Sequence, residues 1–206
     1  MALVTAGSGV AIALPANFGI APSSQAAVLP PASGLKAIVS GSCSVATNQQ
    51  VMHFIQSGRP ALAIDPLRIA AGVDVCAEAL AWAGDKIAGG PVLIYSTADT
   101  SAVKSIQSKL GVEAAGTLVE QTIAGIARGL VELGVRQLVV AGGETSGACV
   151  QALEIAQMRI GGQIDPGVPW CHALSPAAPD GLHITLKSGN FGTADFFTKA
   201  FAACAA

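Results

Sequence analysis

The chain reads as an α/β protein: a mostly parallel sheet with helices on both faces, in a Rossmann-like three-layer arrangement. Three observations predict this. Short continuous apolar segments alternate with longer amphipathic ones, the pattern of strands buried on both faces and helices that cover them. Several apolar segments run directly into Gly- or Ser-rich turns that open a helix. Finally, 51% of the residues are apolar, with only 12% charged and 4% aromatic, which suits a core of Ala, Gly, Val, Ile and Leu.

The elements follow in order. Residues 2–9 (ALVTAGSG) look like a strand entering a glycine turn. Residues 10–18 suit a short helix, with Pro15 against regular continuation. Residues 21–34 are rich in Pro and Ser and read as a linker. A strand-turn-helix unit ahead of a linker suggests the tail of a preceding domain. Residues 1–20 are therefore assigned to such a tail, 21–34 to the linker and 35–206 to the main domain. Residues 36–40 (KAIVS) form a strand ending at Gly41, and residues 46–57 a helix with Ser44 as N-cap. Residues 61–65 form a strand stopped by Pro66, and residues 74–88 a helix with Val75, Ala79, Trp82 and Ala83 inward. Residues 91–95 (PVLIY) are a buried strand. Residues 117–133 form the longest amphipathic helix, with Leu118, Ile123, Ile126, Leu130 and Leu133 near one face and Gly134 as its stop. Residues 137–141 (QLVVA) are a strand, and residues 145–155 a helix. Two further strands are expected at 158–160 and 183–187, and residues 192–203 close the chain as a helix. Residues 165–170 read as a rigid loop, whose Trp170 packs on a base or fills a core gap.

Composition excludes several classes. A mean hydropathy of +0.57 and a net charge of -2 exclude disorder. The 11 Lys and Arg residues are spread thinly and leave no footprint for nucleic acid. No apolar run reaches the roughly 18 residues that span a bilayer. The low charge also points to apolar surface covered by another domain or a second copy in a homo-oligomer. The 5 cysteines are odd in number and lack CxxC spacing, so they read as reduced thiols in the cytoplasm. No Lys or Arg precedes Lys36, so the apolar residues 10–14 lack the basic flank of a signal peptide.

Ligands of parallel sheets bind at the carboxyl ends of strands, and three loops there could carry chemistry. In the first, residues 40–47, small residues let a ligand approach the backbone, and Ser42, Ser44 and Thr47 offer hydroxyls; an ordinary N-capped turn has the same look. In the second, residues 140–147, Gly142 and Gly143 remove side chains where a phosphate could lie. The N–H groups of Glu144, Thr145 and Ser146 would then face an anion, helped by the helix dipole. Glu144 could instead cap the helix or hold a metal through water. The third loop, residues 186–192, offers Lys187 as a cation within reach of a phosphate, with Ser188, Gly189, Asn190 and Gly192. Asn190 and Gly192 can take positive φ, although a lone loop lysine is usually only solvated. The P-loop, the GxGxxG fingerprint after a strand and the GxSxG nucleophile elbow are all missing. His53, His172 and His183 lack ligand spacing, and Asp165 beside Pro166 and Gly167 looks like a turn former.

These segments, in this order, resemble the C-terminal domain of the four-carbon acid sugar kinases, which phosphorylate acids such as 3-oxotetronate, threonate and erythronate with ATP. The resemblance rests on SGSCSVATNQQV at residues 40–51, VVAGGETSGACVQAL at 139–153, IGGQIDPGVPW at 160–170 and LKSGNFGTADFF at 186–197. It covers nearly everything after Gly34, and residues 5–18 look like the end of the family's N-terminal domain. That domain carries the acid-sugar site and the catalytic base in the family, while the C-terminal domain binds the nucleotide. The resemblance thus implies an ATP site lined by Ser42 or Ser44, by Gly142, Gly143, Glu144 and Thr145, and by Lys187, Ser188, Gly189, Asn190 and Gly192, with Ser146 nearby. It implies Mg2+ as companion of ATP, and as partners a sugar acid and the missing N-terminal domain. It assigns no catalytic residue and no metal ligand within this chain. The parent protein would be an ATP-dependent carbohydrate kinase. The competing readings are a non-catalytic ligand-binding or interaction module, a secreted effector included, and a dinucleotide oxidoreductase, which lacks its glycine fingerprint.

Overall fold

The strands are β1 (Leu35–Ser40), β2 (Ala61–Ala63), β3 (Val92–Tyr95), β4 (Val135–Ala141), β5 (Met158–Asp165), β6 (Val168–Ser175) and β7 (Ala178–Lys187). The helices are α1 (Leu14–Asn17), α2 (Val45–Gln56), α3 (Pro66–Ala70), α4 (Val75–Lys86), α5 (Val112–Glu132), α6 (Gly143–Ala152) and α7 (Phe196–Cys204). These belong to a computed structural model that describes residues 3, 5, 8–23, 25, 27–96 and 112–204. Among the described residues, seven strands make one sheet in the order β2-β3-β1-β4-β7-β6-β5. β2, β3, β1, β4 and β7 run parallel, whereas β7, β6 and β5 pair antiparallel.

The sheet separates two cores, as strict alternation along each strand requires. Ala37, Val39, Val92, Ile94, Leu138 and Val140 face α4 and α5, where Ala79, Ala83, Ile123, Ile126 and Leu130 are buried. Ile38, Leu93 and Val139 face the other way, onto Val51 and Phe54 of α2 and Phe196, Phe197 and Phe201 of α7. Each of these large side chains contributes about 1.5–3 kcal/mol on burial. Helices on both faces of a mostly parallel sheet are thus the observed architecture.

Several boundaries depart from the sequence expectation, each for a local reason. Residues 165–170 are not a rigid loop. Pro166 and Gly167 form a two-residue turn joining β5 to β6, with Gly167 at φ +79°, a conformation that favours glycine. β6 was not anticipated, and β5 and β7 extend well past the expected 158–160 and 183–187. Trp170 is the core filler of the two alternatives: it is buried, and its Nε1 donates to Ala200 O at 2.8 Å. Pro66 does more than stop a strand, because it opens α3 behind Asp65, whose carboxylate accepts from Leu67 N. α6 starts at Gly143, two residues before the expected start, and α7 at Phe196 instead of residue 192. Leu133 lies past the end of α5 and is exposed.

The expected strand at residues 2–9 falls largely outside the described residues. Past it, Ser8–Ile12 is a 3-10 turn and α1 buries no residue. The end of the expected linker is docked on the sheet. Leu29 packs over Gly161, and Pro30 O lies 3.0 Å from Nε2 of His183. His183 stands edge-on to His172, and burial, then His172, lowers its pKa. Both rings therefore serve packing. All five cysteines are free thiols.

Candidate nucleotide site

β1, β4 and β7 are parallel neighbours, so the loops leaving their carboxyl ends meet. Each loop enters a helix: Gly41–Ser44 into α2, Gly142 into α6, and residues 188–195 into α7. The three expected loops are thus joined by direct contacts. Ser44 Oγ donates to Gly189 O at 2.5 Å, and Gly142 N donates to Lys187 O at 2.8 Å.

The first loop is set by its cap. Ser44 is the N-cap of α2, accepting from Thr47 N at 3.2 Å. Ser42 Oγ sits 3.3 Å from Ser44 Oγ. Small size matters as much as the hydroxyls, since a Cβ on Gly189 would stand 2.8 Å from Ser42 Oγ.

The second loop is a helix entrance stripped of side chains. Gly142 is the N-cap of α6 at φ +124°, with no side-chain cap. A Cβ there would meet Thr145 Oγ1 at 2.6 Å. Gly143, by contrast, opens onto free space. Because α6 starts early, Ser146 N is already engaged with Gly142 O at 2.9 Å, and Ser146 Oγ donates to the same oxygen at 2.6 Å. The open N–H groups are therefore those of Gly143, Glu144 and Thr145, shifted one residue from the expected set. Thr145 is buried and wedges its hydroxyl against Gly41 and Gly142. Glu144 is exposed in the first turn of α6 and faces Glu120 of α5, whose pKa is raised by burial and then by Glu144.

The third loop differs from expectation in two respects. Lys187 does not project: its exposure is 0%. Its Nζ lies 3.0 Å from Thr47 Oγ1 and 3.0–3.2 Å from the carbonyl oxygens of Ser188, Gly189 and Phe191. Asn190 has no positive φ, whereas Gly192 takes φ +83° against the ring of Phe196. Gln50 went unnoticed in the sequence. It is buried on α2, and its Nε2 donates to Phe191 O, Gly192 O and Thr193 O at 3.0–3.1 Å. Thr47 and Gln50 lie three residues apart, one turn of helix, and that buried polar pair was the available signal. Beyond the loop, Asp165 accepts from Thr193 N at 2.9 Å and pairs with Lys199 at 2.7 Å. Burial would raise its pKa, but Lys199 and Thr193 outweigh that and lower it. Asp165 is thus an anchor for the loop.

The same chain matches known proteins over this region. The family described as the nucleotide-binding C-terminal domain matches residues 37–197. The chain belongs to the four-carbon acid sugar kinase family. It is 52% identical over 205 residues to the 3-oxo-tetronate kinase of Burkholderia multivorans, covering 98% of this chain and 47% of that one. The 3-oxo-tetronate kinase of Cupriavidus necator is also 52% identical, over 96% of this chain and 46% of that one. A Haemophilus influenzae protein of solved structure superposes with a TM-score of 0.81 at 34% identity, over 95% of this chain and 46% of that one. The chain thus spans about half the length of the curated relatives it matches. No helix among the described residues is long and apolar enough to cross a membrane.

Proposed function

We propose that this chain binds ATP at the joined ends of β1, β4 and β7, in the cytoplasm, as the nucleotide half of a kinase that phosphorylates a four-carbon sugar acid of the 3-oxotetronate type. The observation that carries the reading is the bare entrance to α6. Two glycines, three open N–H groups and free space at Gly143 suit a phosphate at the positive end of a helix. The small residues around Ser42, Ser44 and Gly189 suit close approach of the same ligand.

The donor set also suits Mg2+ held chiefly by phosphate. Among the described residues no three His, Cys, Asp or Glu side chains gather as a protein metal site. Glu144, with Glu120 facing it, offers the one or two carboxylates such an ion needs beside phosphate oxygens and water. When bound, Mg2+ would neutralise phosphate charge.

Phosphoryl transfer further needs an acceptor hydroxyl and a base held in line with the γ-phosphate. Asp165 is tied to Lys199, and the rings of His172 and His183 are packed against each other. In line with the family resemblance, the acceptor site and the base are assigned to an N-terminal domain like the remaining half of the relatives. Calorimetry on this chain should detect ATP and ADP in the presence of Mg2+. A coupled ADP-release assay with threonate, erythronate and 3-oxotetronate should be silent for this chain and active for the two-domain protein. Absence of nucleotide binding would remove the reading, and sugar-acid-dependent turnover by this chain alone would overturn the division of roles.

A further inference from the structure

Lys187 ends β7 with its ammonium inside the protein, at 0% exposure. Four oxygens surround Nζ: Thr47 Oγ1 at 3.0 Å, Gly189 O at 3.0 Å, Phe191 O at 3.1 Å and Ser188 O at 3.2 Å. An ammonium has three N–H donors, so four acceptors leave none for an outside ligand. No carboxylate is among these neighbours. Burial lowers the lysine to about 8, which keeps it charged at neutral pH. A buried charge without a counter-ion is unfavourable unless dipoles replace the water it lost, and three carbonyl dipoles do so here.

The dependence also runs the other way. Three carbonyl oxygens of one short loop converge on a single point, and their negative ends repel unless a cation lies between them. Gly189 O takes further donors from Ser44 Oγ and Thr47 Oγ1, and Gln50 Nε2 gathers the carbonyls of Phe191, Gly192 and Thr193. The loop is therefore held by its oxygens. Among the described residues, the N–H groups of Gly189 and Asn190 make no hydrogen bond.

We propose that Lys187 is a positioning residue: its ammonium is a tethered monovalent cation that shapes the 188–192 loop through its carbonyl oxygens and touches no phosphate itself. The loop-shaping half stands on geometry alone, and the consequence for nucleotide binding rests on the function proposed above.

Hydrogen exchange of the peptide spanning residues 188–193 separates the two halves, because it needs no ligand. In Lys187→Met, exchange of the hydrogen-bonded Phe191 and Thr193 amides of this peptide should rise by roughly tenfold or more, with the 137–141 strand peptide much less affected. In Lys187→Ala, propylammonium should restore protection, and tetramethylammonium, which has no N–H, should not. Thr47→Val removes one oxygen of the shell without disturbing the charge, and should accelerate the same peptide to a smaller extent. It keeps the test open if the lysine variants fail to fold. Unchanged exchange at 188–193 in Thr47→Val or in folded Lys187→Met would overturn the proposal. So would a loss of ATP and ADP affinity in Lys187→Met with loop exchange unchanged, since that is the signature of a direct phosphate contact. If the wild-type chain binds no nucleotide, the functional reading falls and the exchange results still decide the role of Lys187.

Discussion

The loop after β4 and the loop after β7 adjoin at the carboxyl ends of neighbouring strands but are built by opposite means. Gly142–Gly143 presents donors because the start of a helix has N–H groups without acceptors. Its shape is fixed by backbone conformation, φ +124° at Gly142, and by the packing of Thr145. The 188–192 loop has no helix to define it. Its shape is imposed from within, by Lys187, Gln50 and Thr47, and from its far end by Asp165. A wall made by secondary structure should be sensitive to any added atom, and a wall made by internal ligation should be sensitive to charge and pH.

The largest expected effect is in the first wall. Gly142→Ala forces a side chain into positive φ and against Thr145. It should destabilise the chain by about 1–3 kcal/mol and abolish nucleotide binding. Gly143→Ala adds a methyl group to open space, so its melting temperature should stay near wild type while phosphate affinity falls. Equal melting losses for the two variants would erase the distinction drawn between these glycines.

Next come the anchors of the second wall. Asp165→Asn breaks the pair with Lys199 and weakens the bond to Thr193, for an expected loss of about 1–2 kcal/mol. Because the Asp165 pKa is lowered in the fold, its contribution is present above the unfolded value of about 4 and is lost as pH falls through the folded value. Acid unfolding of the Asn variant should accordingly be less steep, and an unchanged profile would assign the acid sensitivity to other groups. Ser44→Ala removes the cap of α2 and a donor to Gly189 O, and should lower stability by about 1 kcal/mol, with Ser42→Ala close to neutral in a denaturant titration.

The subtlest effect is the alkaline one. The Lys187 pKa is lowered to about 8, against about 10.4 when unfolded. Between these values the unfolded chain holds the extra proton, so this group's contribution to global stability rises with pH. Over the same interval the neutral amine loses a donor, and the 188–193 peptide should exchange faster than its intrinsic chemistry predicts. Opposite trends in global stability and loop protection above pH 8 would mark internal ligation. Parallel trends would show that the loop behaves like the rest of the sheet.

What could be read from the sequence divides along the same line. β1, β3 and β4 were legible because burial on both faces leaves a continuous apolar run, as in VLIY. β5 was legible only at residues 158–160, because the rest of Met158–Asp165 is mostly exposed and includes Gly161 and Gly162, and β6 was not anticipated because its residues 168–170 were read as part of a rigid loop. The DPGV turn signal was visible, but as part of a loop. The turn after β4 was visible from its two glycines, and Gly142 needs to be glycine there because of its φ of +124° and the closeness of Thr145. The role of Lys187 was not, because its partner Thr47 lies 140 positions away in the chain and its other partners are main-chain atoms, which have no sequence signature.

The sheet order has a consequence for how the protein assembles. β5, β6 and β7 are joined by two-residue turns, so these local hairpins are expected to close within about 1–10 μs. β1 must instead find β4, bringing Ile38 beside Val139 across an intervening stretch that holds two other strands and several helices. Non-local closure of this kind is the slow part of folding. The loops of the proposed site leave β1, β4 and β7, so that site would come into existence only when that last seam is zipped. A bound nucleotide would then act as a lock on the completed sheet, adding RT ln(1 + [L]/Kd) to the stability of the whole, while the early hairpins gain nothing from it until the seam has closed.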